Sequence, residues 1–298
     1  MLISESTCPI RIASPSVLAN SEDIHWGASG VINSSSYNFE DESFKCQMIF
    51  IGSASERIQI TFLHFNLYSR PVHHDNETFR CEEMDHISAH VLIGTRMSRI
   101  DDFCGSETPP RLMSTKNLMI LDYVIRSNKH IRQMVSSSDA FGFTIRYNFL
   151  TDLGLSDMKA ERNLDHSMGL FPHFFFYNSE ISNLRFAIKI FKLIACYYIF
   201  NSSRQTSGGV FSPNHPGYYP RNINCQYIFH GTENQVVSIH FEYFDVEGFS
   251  TTNKRFCGQT CPKYSVVSES NYFRMVFVSN DIFDATGFYA HYQFIVRR

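Results

Sequence analysis

Positive charge is scarce in this chain of 298 residues. Its 26 Lys and Arg against 29 Asp and Glu leave a net charge of −3, which argues against a general polyanion binder such as a nucleic-acid protein. No uncharged apolar run reaches the roughly 18–20 residues of a membrane-spanning helix, so none is expected. The opening MLISESTCPIRIASPS has neither a basic n-region nor a continuous apolar h-region, and no signal peptide is visible. There is no CxxC pair to support a cytosolic metal protein. H-E-x-x-H and G-x-S-x-G are also absent, as is any serine-protease nucleophile context, so no catalytic residue and no small-molecule substrate is expected. His86 and His90 have the i,i+4 spacing of a helical zinc pair. The segment reads as a strand, however, where such residues stand about 13 Å apart.

What is present favours β structure. The 28 Phe and 15 Tyr fall mostly in short alternating runs, and a hydrophobic fraction of 43% can fill two cores. Eight cysteines and three N-x-S/T sequons, at Asn33, Asn76 and Asn201, read as an oxidising, glycosylating compartment. The cysteines outweigh the missing leader, and the expected location is extracellular or cell-surface.

The two halves repeat each other. Gly30-Val31-Ile32 precedes Cys46 by the distances at which Gly209-Val210-Phe211 precedes Cys225, and Cys46-Gln47-x-Ile49-Phe50 matches Cys225-Gln226-x-Ile228-Phe229. Ile58, Ile60 and Phe62 fall at the offsets of Val237, Ile239 and Phe241, all with period 2. Phe65 and Leu67 match Phe244 and Val246 one residue out of phase, as a β-bulge requires. Gly142-Phe143-x-x-x-Tyr147-x-Phe149 recurs as Gly287-Phe288-x-x-x-Tyr292-x-Phe294. From Phe62 to Cys104 is 42 positions, whereas from Phe241 to Cys257 is 16, so copy two lacks 26 positions (42 − 16). That loss is expected to open strand edges and to cost stability.

The run Gly208–Phe229, GGVFSPNHPGYYPRNINCQYIF, has its prolines at 213, 216 and 220, which fix φ and remove backbone donors, so it is a shaped connection between strands. Its G-x-x-SPxxPxxYPxNxxC pattern resembles the CUB domain, a disulfide-stapled extracellular β-sandwich. The expected fold is therefore all-β: two jelly-roll-like antiparallel sandwiches, residues 8–150 and an incomplete 196–298. An irregular or partly helical insert, residues 151–195, joins them, with Leu184–Ile194 as its helix candidate.

The resemblance implies disulfides joining Cys8 to Cys46, Cys81 to Cys104 and Cys196 to Cys225. It leaves Cys257 without its family partner and Cys261 as the nearest substitute, a short-range bridge expected to be strained. It also implies calcium, which many CUB domains hold with three carboxylates. Here copy one offers Tyr68, Asp85 and Asn128 at those positions. Copy two offers Glu247, no middle Asp, and Asn280 followed by Asp281. Neither set is complete, and solvated acidic loops are the alternative.

Met84–Cys104 is similar to suppressor-of-lurcher and neuropilin/tolloid-like proteins, which modulate ionotropic glutamate receptors. That likeness implies an extracellular or membrane protein as partner, an ionotropic glutamate receptor in its finer form. Asp101-Asp102 and Asn280–Asp284 are the expected contact loops. A non-catalytic, substrate-binding part of a CUB-containing extracellular protease is the rival reading.

Overall fold

The computed structural model describes residues 8–17, 24–34, 44–68, 80–126, 141–155, 158, 161–162, 196–248 and 256–297. The chain divides into two units, Met1–Leu150 and Thr151–Arg298. Apart from 3₁₀ geometry at Ser34 and at Cys81–Glu83, the regular structure among the described residues is β.

The first unit contains β1 (Ile10–Ala13), β2 (His25–Trp26), β3 (Ser29–Asn33), β4 (Phe44–Ile51), β5 (Arg57–Asn66), β6 (His86–Ile93), β7 (Arg96–Cys104), β8 (Leu112–Met113), β9 (Leu118–Ile125) and β10 (Gly142–Leu150). They form a six-stranded sheet in the order β2-β1-β4-β9-β6-β7 and a four-stranded sheet in the order β3-β10-β5-β8. Period-2 alternation decides which side chains enter the core. Ile58, Ile60 and Phe62 of β5 are buried, as are Met119, Leu121 and Tyr123 of β9. The pairing of β5 with β10 shifts register between His64 and Phe62, and this bulge turns Phe65 and Leu67 inward.

The second unit contains β11 (Glu161–Arg162), β12 (Tyr197–Asn201), β13 (Ser207–Phe211), β14 (Asn224–His230), β15 (Gln235–Asp245), β16 (Val266–Val267), β17 (Tyr272–Val278) and β18 (Gly287–Val296). Its sheets run β11-β12-β14-β17 and β13-β18-β15-β16. This is the first sandwich without β6 and β7, and with a different edge strand: β11 precedes β12 and runs antiparallel to it, whereas β2 follows β1 and runs parallel. Val237, Ile239 and Phe241 repeat the buried face of β5, and the bulge recurs between Phe241 and Tyr243. Matching aromatic contacts fill both cores: Phe50 lies 5.6 Å from Tyr147, and Phe229 lies 5.3 Å from Tyr292, centroid to centroid.

One strand aligns differently from its spacing to the cysteine. Gly30 stands opposite Tyr147 and Gly208, not Gly209, stands opposite Tyr292. The ring of that tyrosine lies over each glycine; a Cβ at Gly30 would come within 2.5 Å of the Tyr147 hydroxyl. Packing beneath the ring fixes the strand, and the one-residue difference is absorbed in the connection to the next strand.

Disulfides join Cys8 to Cys46, Cys81 to Cys104 and Cys196 to Cys225. The first ties β1 to β4 and the third ties the start of β12 to β14; both strand pairs are parallel. Cys257 and Cys261 are free thiols, which corrects the substitute bridge. Cys261 turns away to donate its thiol to the Phe241 carbonyl at 3.1 Å, while Cys257 packs by Gly248. The described part of 151–195 belongs to the second unit. There Leu153, Leu155 and Met158 are buried, Leu153 accepts a hydrogen bond from Asn214, and Glu161-Arg162 pairs with β12. Leu184–Ile194 lies outside the described residues.

Candidate interaction site

At one end of the second domain, the carboxylates of Asp245, Glu247 and Asp284 surround Tyr219, and Asp281 is exposed in the same loop as Asp284. β15 leads into Asp245-Val246-Glu247, and β17 leads into Ser279–Thr286 with Asp281 and Asp284. The Pro-rich connection between β13 and β14 supplies the support. Asn214 and Asn222 take positive φ there, at 60° and 55°, so the chain turns tightly enough to carry Tyr219 and Arg221 inward.

Three of these carboxylates have defined partners. Arg221 Nε donates to both Asp284 oxygens at 2.9 Å, its Nη2 also reaches Oδ2, and the pair is buried. Asp245 Oδ2 accepts the Thr286 hydroxyl at 2.6 Å and its amide at 3.1 Å. Tyr219 packs edge-on against Phe277 and its hydroxyl accepts the Glu247 amide at 3.2 Å. Burial pushes the Tyr219 phenol up to about 12, and the carboxylates of Glu247, Asp284 and Asp245 push the same way, so it stays protonated. Asn280 Oδ1 accepts the amides of Ile282 and Phe283 at 2.9 and 3.0 Å, and its Nδ2 donates to Glu247 Oε2 at 2.8 Å.

The result is a braced loop whose tip is apolar. Ile282 is 60% and Phe283 54% exposed, with Asp281 and Glu247 exposed beside them in sequence and by the Asn280 bond. A rigid apolar anchor with an acidic rim is what a protein partner with a basic-edged apolar pocket recognises.

The calcium donors do not assemble. In the second domain the two backbone amides fix Asn280 Oδ1, so the side chain turns an N–H donor, not an oxygen, toward Glu247. In the first domain Tyr68 is buried, and Asp85 Oδ1, also buried, accepts the Arg126 amide at 2.7 Å. Asn128 lies outside the described residues. Among the described residues no three His, Cys, Asp or Glu side chains converge to hold a metal. The described residues do not assemble the three oxygen donors that the resemblance implies.

Asp101 and Asp102 lie within strand β7, not in a loop. Asp102 is held by Ser88 Oγ at 2.6 Å and Arg99 Nη1 at 2.8 Å, across and along the strands. Asn33 is exposed in β3 and Asn201 is exposed at the end of β12, where its Oδ1 accepts the amide and hydroxyl of Ser203. Asn76 lies outside the described residues. The expected contact loop Asn280–Asp284 contains Ile282 and Phe283, whereas its support by Tyr219 and Arg221 was not foreseen; the one available signal was an Arg in the Pro-rich connection and acidic residues in the loop.

A family description for the CUB domain matches residues 21–147 and 196–292. Cubilin of Rattus norvegicus is 30% identical over 105 residues, covering 30% of this chain and 3% of cubilin. The zinc metalloproteinase nas-39 of Caenorhabditis elegans is 32% identical over 103 residues, covering 27% of this chain and 11% of that protein. Neuropilin and tolloid-like protein 1 of Mus musculus is 30% identical over 111 residues, covering 31% of this chain and 21% of the relative. The chain thus spans a fifth or less of the first two relatives and 21% of the third.

Proposed function

Since the chain belongs to the CUB-domain family, we propose that it serves as an extracellular protein–protein interaction module whose contact is the loop Asn280–Asp284. CUB domains are non-catalytic modules, and the reading gives this chain binding rather than catalysis. The observation that carries it is the exposed Ile282-Phe283 pair on a loop braced by Asn280 and by the buried Arg221–Asp284 pair. In its finer form the partner is an ionotropic glutamate receptor, which rests on the similarity of Met84–Cys104 to receptor-modulating proteins. We read Asn33 and Asn201, both exposed, as glycan acceptors on the same secreted or surface-held product.

The test is binding of the secreted chain to cells displaying ionotropic glutamate receptors, beside cells lacking them. Receptor-dependent binding that drops about tenfold or more in an Ile282→Ser/Phe283→Ser variant is the expected result. Binding that ignores the receptor removes the finer form; binding indifferent to the double substitution removes the loop. The second reading, a substrate-binding part of an extracellular protease, is favoured by the similarity to nas-39. Capture of a protease substrate in place of the receptor would support it.

A further inference from the structure

In the first domain β9 is an interior strand. β4 pairs with one edge and β6 with the other, placing Ile87 opposite Tyr123, Ala89 opposite Leu121 and Val91 opposite Met119. All six side chains are buried. β17 is the counterpart of β9, because Cys225 pairs with Phe277 as Cys46 pairs with Tyr123. Phe277, Met275 and Phe273 therefore stand where Tyr123, Leu121 and Met119 stand in the first domain.

Among the described residues nothing pairs with the second edge of β17. Phe277 is still buried, but Met275 and Phe273 are part-exposed. Beside them opens a groove of about 750 Å³ between the two sheets, whose lining includes Phe241, Phe244, Phe256, Cys257, Phe273 and Met275. β17 itself carries few of the devices that protect a natural edge. Tyr272-Phe-Arg-Met-Val-Phe-Val278 holds no proline and a single charge, and its pairing with β14 has no bulge.

The far wall of the groove is already in its family position. Phe256 packs on Phe241 at 6.1 Å as Phe103 packs on Phe62 at 5.9 Å, so Cys257 occupies the place of Cys104. Cys104 is bonded to Cys81, five residues ahead of β6, whereas Cys257 is a free thiol lining the groove.

We propose that β17 and this groove form a strand-acceptor site for an extended segment of another protein. The segment runs antiparallel to β17, carries small or β-branched aliphatic residues at alternate positions facing the groove, and has a cysteine upstream within reach of Cys257. The chemistry of the occupant is read from β6, which fills the equivalent space in the same fold. Main-chain bonds to the open edge supply affinity and the alternate side chains supply selectivity. A second copy of this chain is not the donor of that strand, because its β6 is paired on both edges, with β9 and β7. The groove adjoins the Ile282-Phe283 loop, since Glu247 lines it and also holds Asn280, but the two proposals are read by different experiments, disulfide exchange at Cys257 here and cell binding there.

The probe is a peptide of residues 81–93, CEEMDHISAHVLI, its cysteine held as a mixed disulfide with thionitrobenzoate and presented to the full chain. The Cys257 thiolate attacks the peptide sulfur, the peptide–thionitrobenzoate bond breaks, and thionitrobenzoate leaves with the electron pair. The Cys257 proton goes to solvent, and no external oxidant is consumed. The expected result is saturable release, with the peptide attached to Cys257 about tenfold or more in preference to Cys261. An Ala89→Asp peptide, which sends a carboxylate into the apolar groove, and a scrambled peptide should each react about tenfold or more slowly. Equal labelling of both cysteines, or equal rates for the three peptides, overturns the proposal. So does a dimer of the chain that the peptide fails to dissociate, since a second copy would then hold the edge.

Discussion

Arg221 and Asp284 are buried together, 4% and 8% exposed at the side chain, so neither has bulk water to fall back on. Arg221→Ala leaves an uncompensated buried carboxylate and is expected to cost about 3–5 kcal/mol, read by urea denaturation of the full chain. An Arg221→Met/Asp284→Leu pair should recover most of that loss. A second residue-scale prediction concerns Gly287, whose φ is +81° and where a Cβ would come within 1.8 Å of Ser212 Oγ. That hydroxyl accepts the Phe288 amide at 3.0 Å, so Gly287→Ala both strains the backbone and displaces a bonded partner. A loss of about 1–3 kcal/mol or more is expected on the same measurement. Glu56 provides the pH dependence. Burial pushes its pKa up, but hydrogen bonds from the Ser53 amide and the hydroxyls of Ser14 and Ser16 outweigh this and hold it below 4.5. A depressed folded pKa contributes stability above the ordinary value and loses it as pH falls through the folded value. Stability of the first domain should therefore fall with acid below about pH 4.5. Glu56→Gln should flatten that fall. At the counterpart in the second domain, Gln235 accepts the Thr232 amide at 2.9 Å and carries no charge to titrate.

At the scale of elements, the contrast between β9 and β17 predicts a difference in hydrogen exchange. Amides of β9 are bonded or covered on both edges, while those of β17 that point away from β14 have no strand partner among the described residues. On that side β17 should exchange faster than its β9 counterparts, measured residue by residue in the intact chain. Equal protection would mean that the edge is covered in solution. This is also where the sequence was most and least readable. The faces of β5 and β15 and their bulges follow from alternation alone, because burial of one face needs no knowledge of neighbours. The shortfall of 26 positions falls where the first domain has β6 and β7 and the second has no counterpart among the described residues. By contrast, the parallel pairing of β1 with β4 leaves no local pattern, and the alignment of Gly208 under Tyr292 depends on a ring more than 80 residues away (292 − 208). The Asn280–Glu247 bond was equally invisible, since it joins two loops whose meeting depends on the whole sandwich.

For the whole molecule, stability is unevenly shared. The first domain has two disulfides and all ten strands; the second has one disulfide and an open edge. With each bridge worth about 2–4 kcal/mol, the second domain should melt first and the chain should unfold in two transitions. Trp26, the only tryptophan, sits in β2 and reports the first domain alone by fluorescence, while circular dichroism sees both. Coincident curves from the two probes would contradict the prediction. Mild reduction should lower the fluorescence transition more than the other.

The last strand of each sandwich is an inner one: β10 lies between β3 and β5, and β18 between β13 and β15. On a translating ribosome, neither sheet can close until that strand has cleared the exit tunnel. β13 and β15 must hold apart the places β18 will fill while the intervening chain is made, with their apolar faces uncovered. The nascent second domain therefore waits twice, for β18 and for whatever occupies its open edge, and is the half of the product most in need of a chaperone.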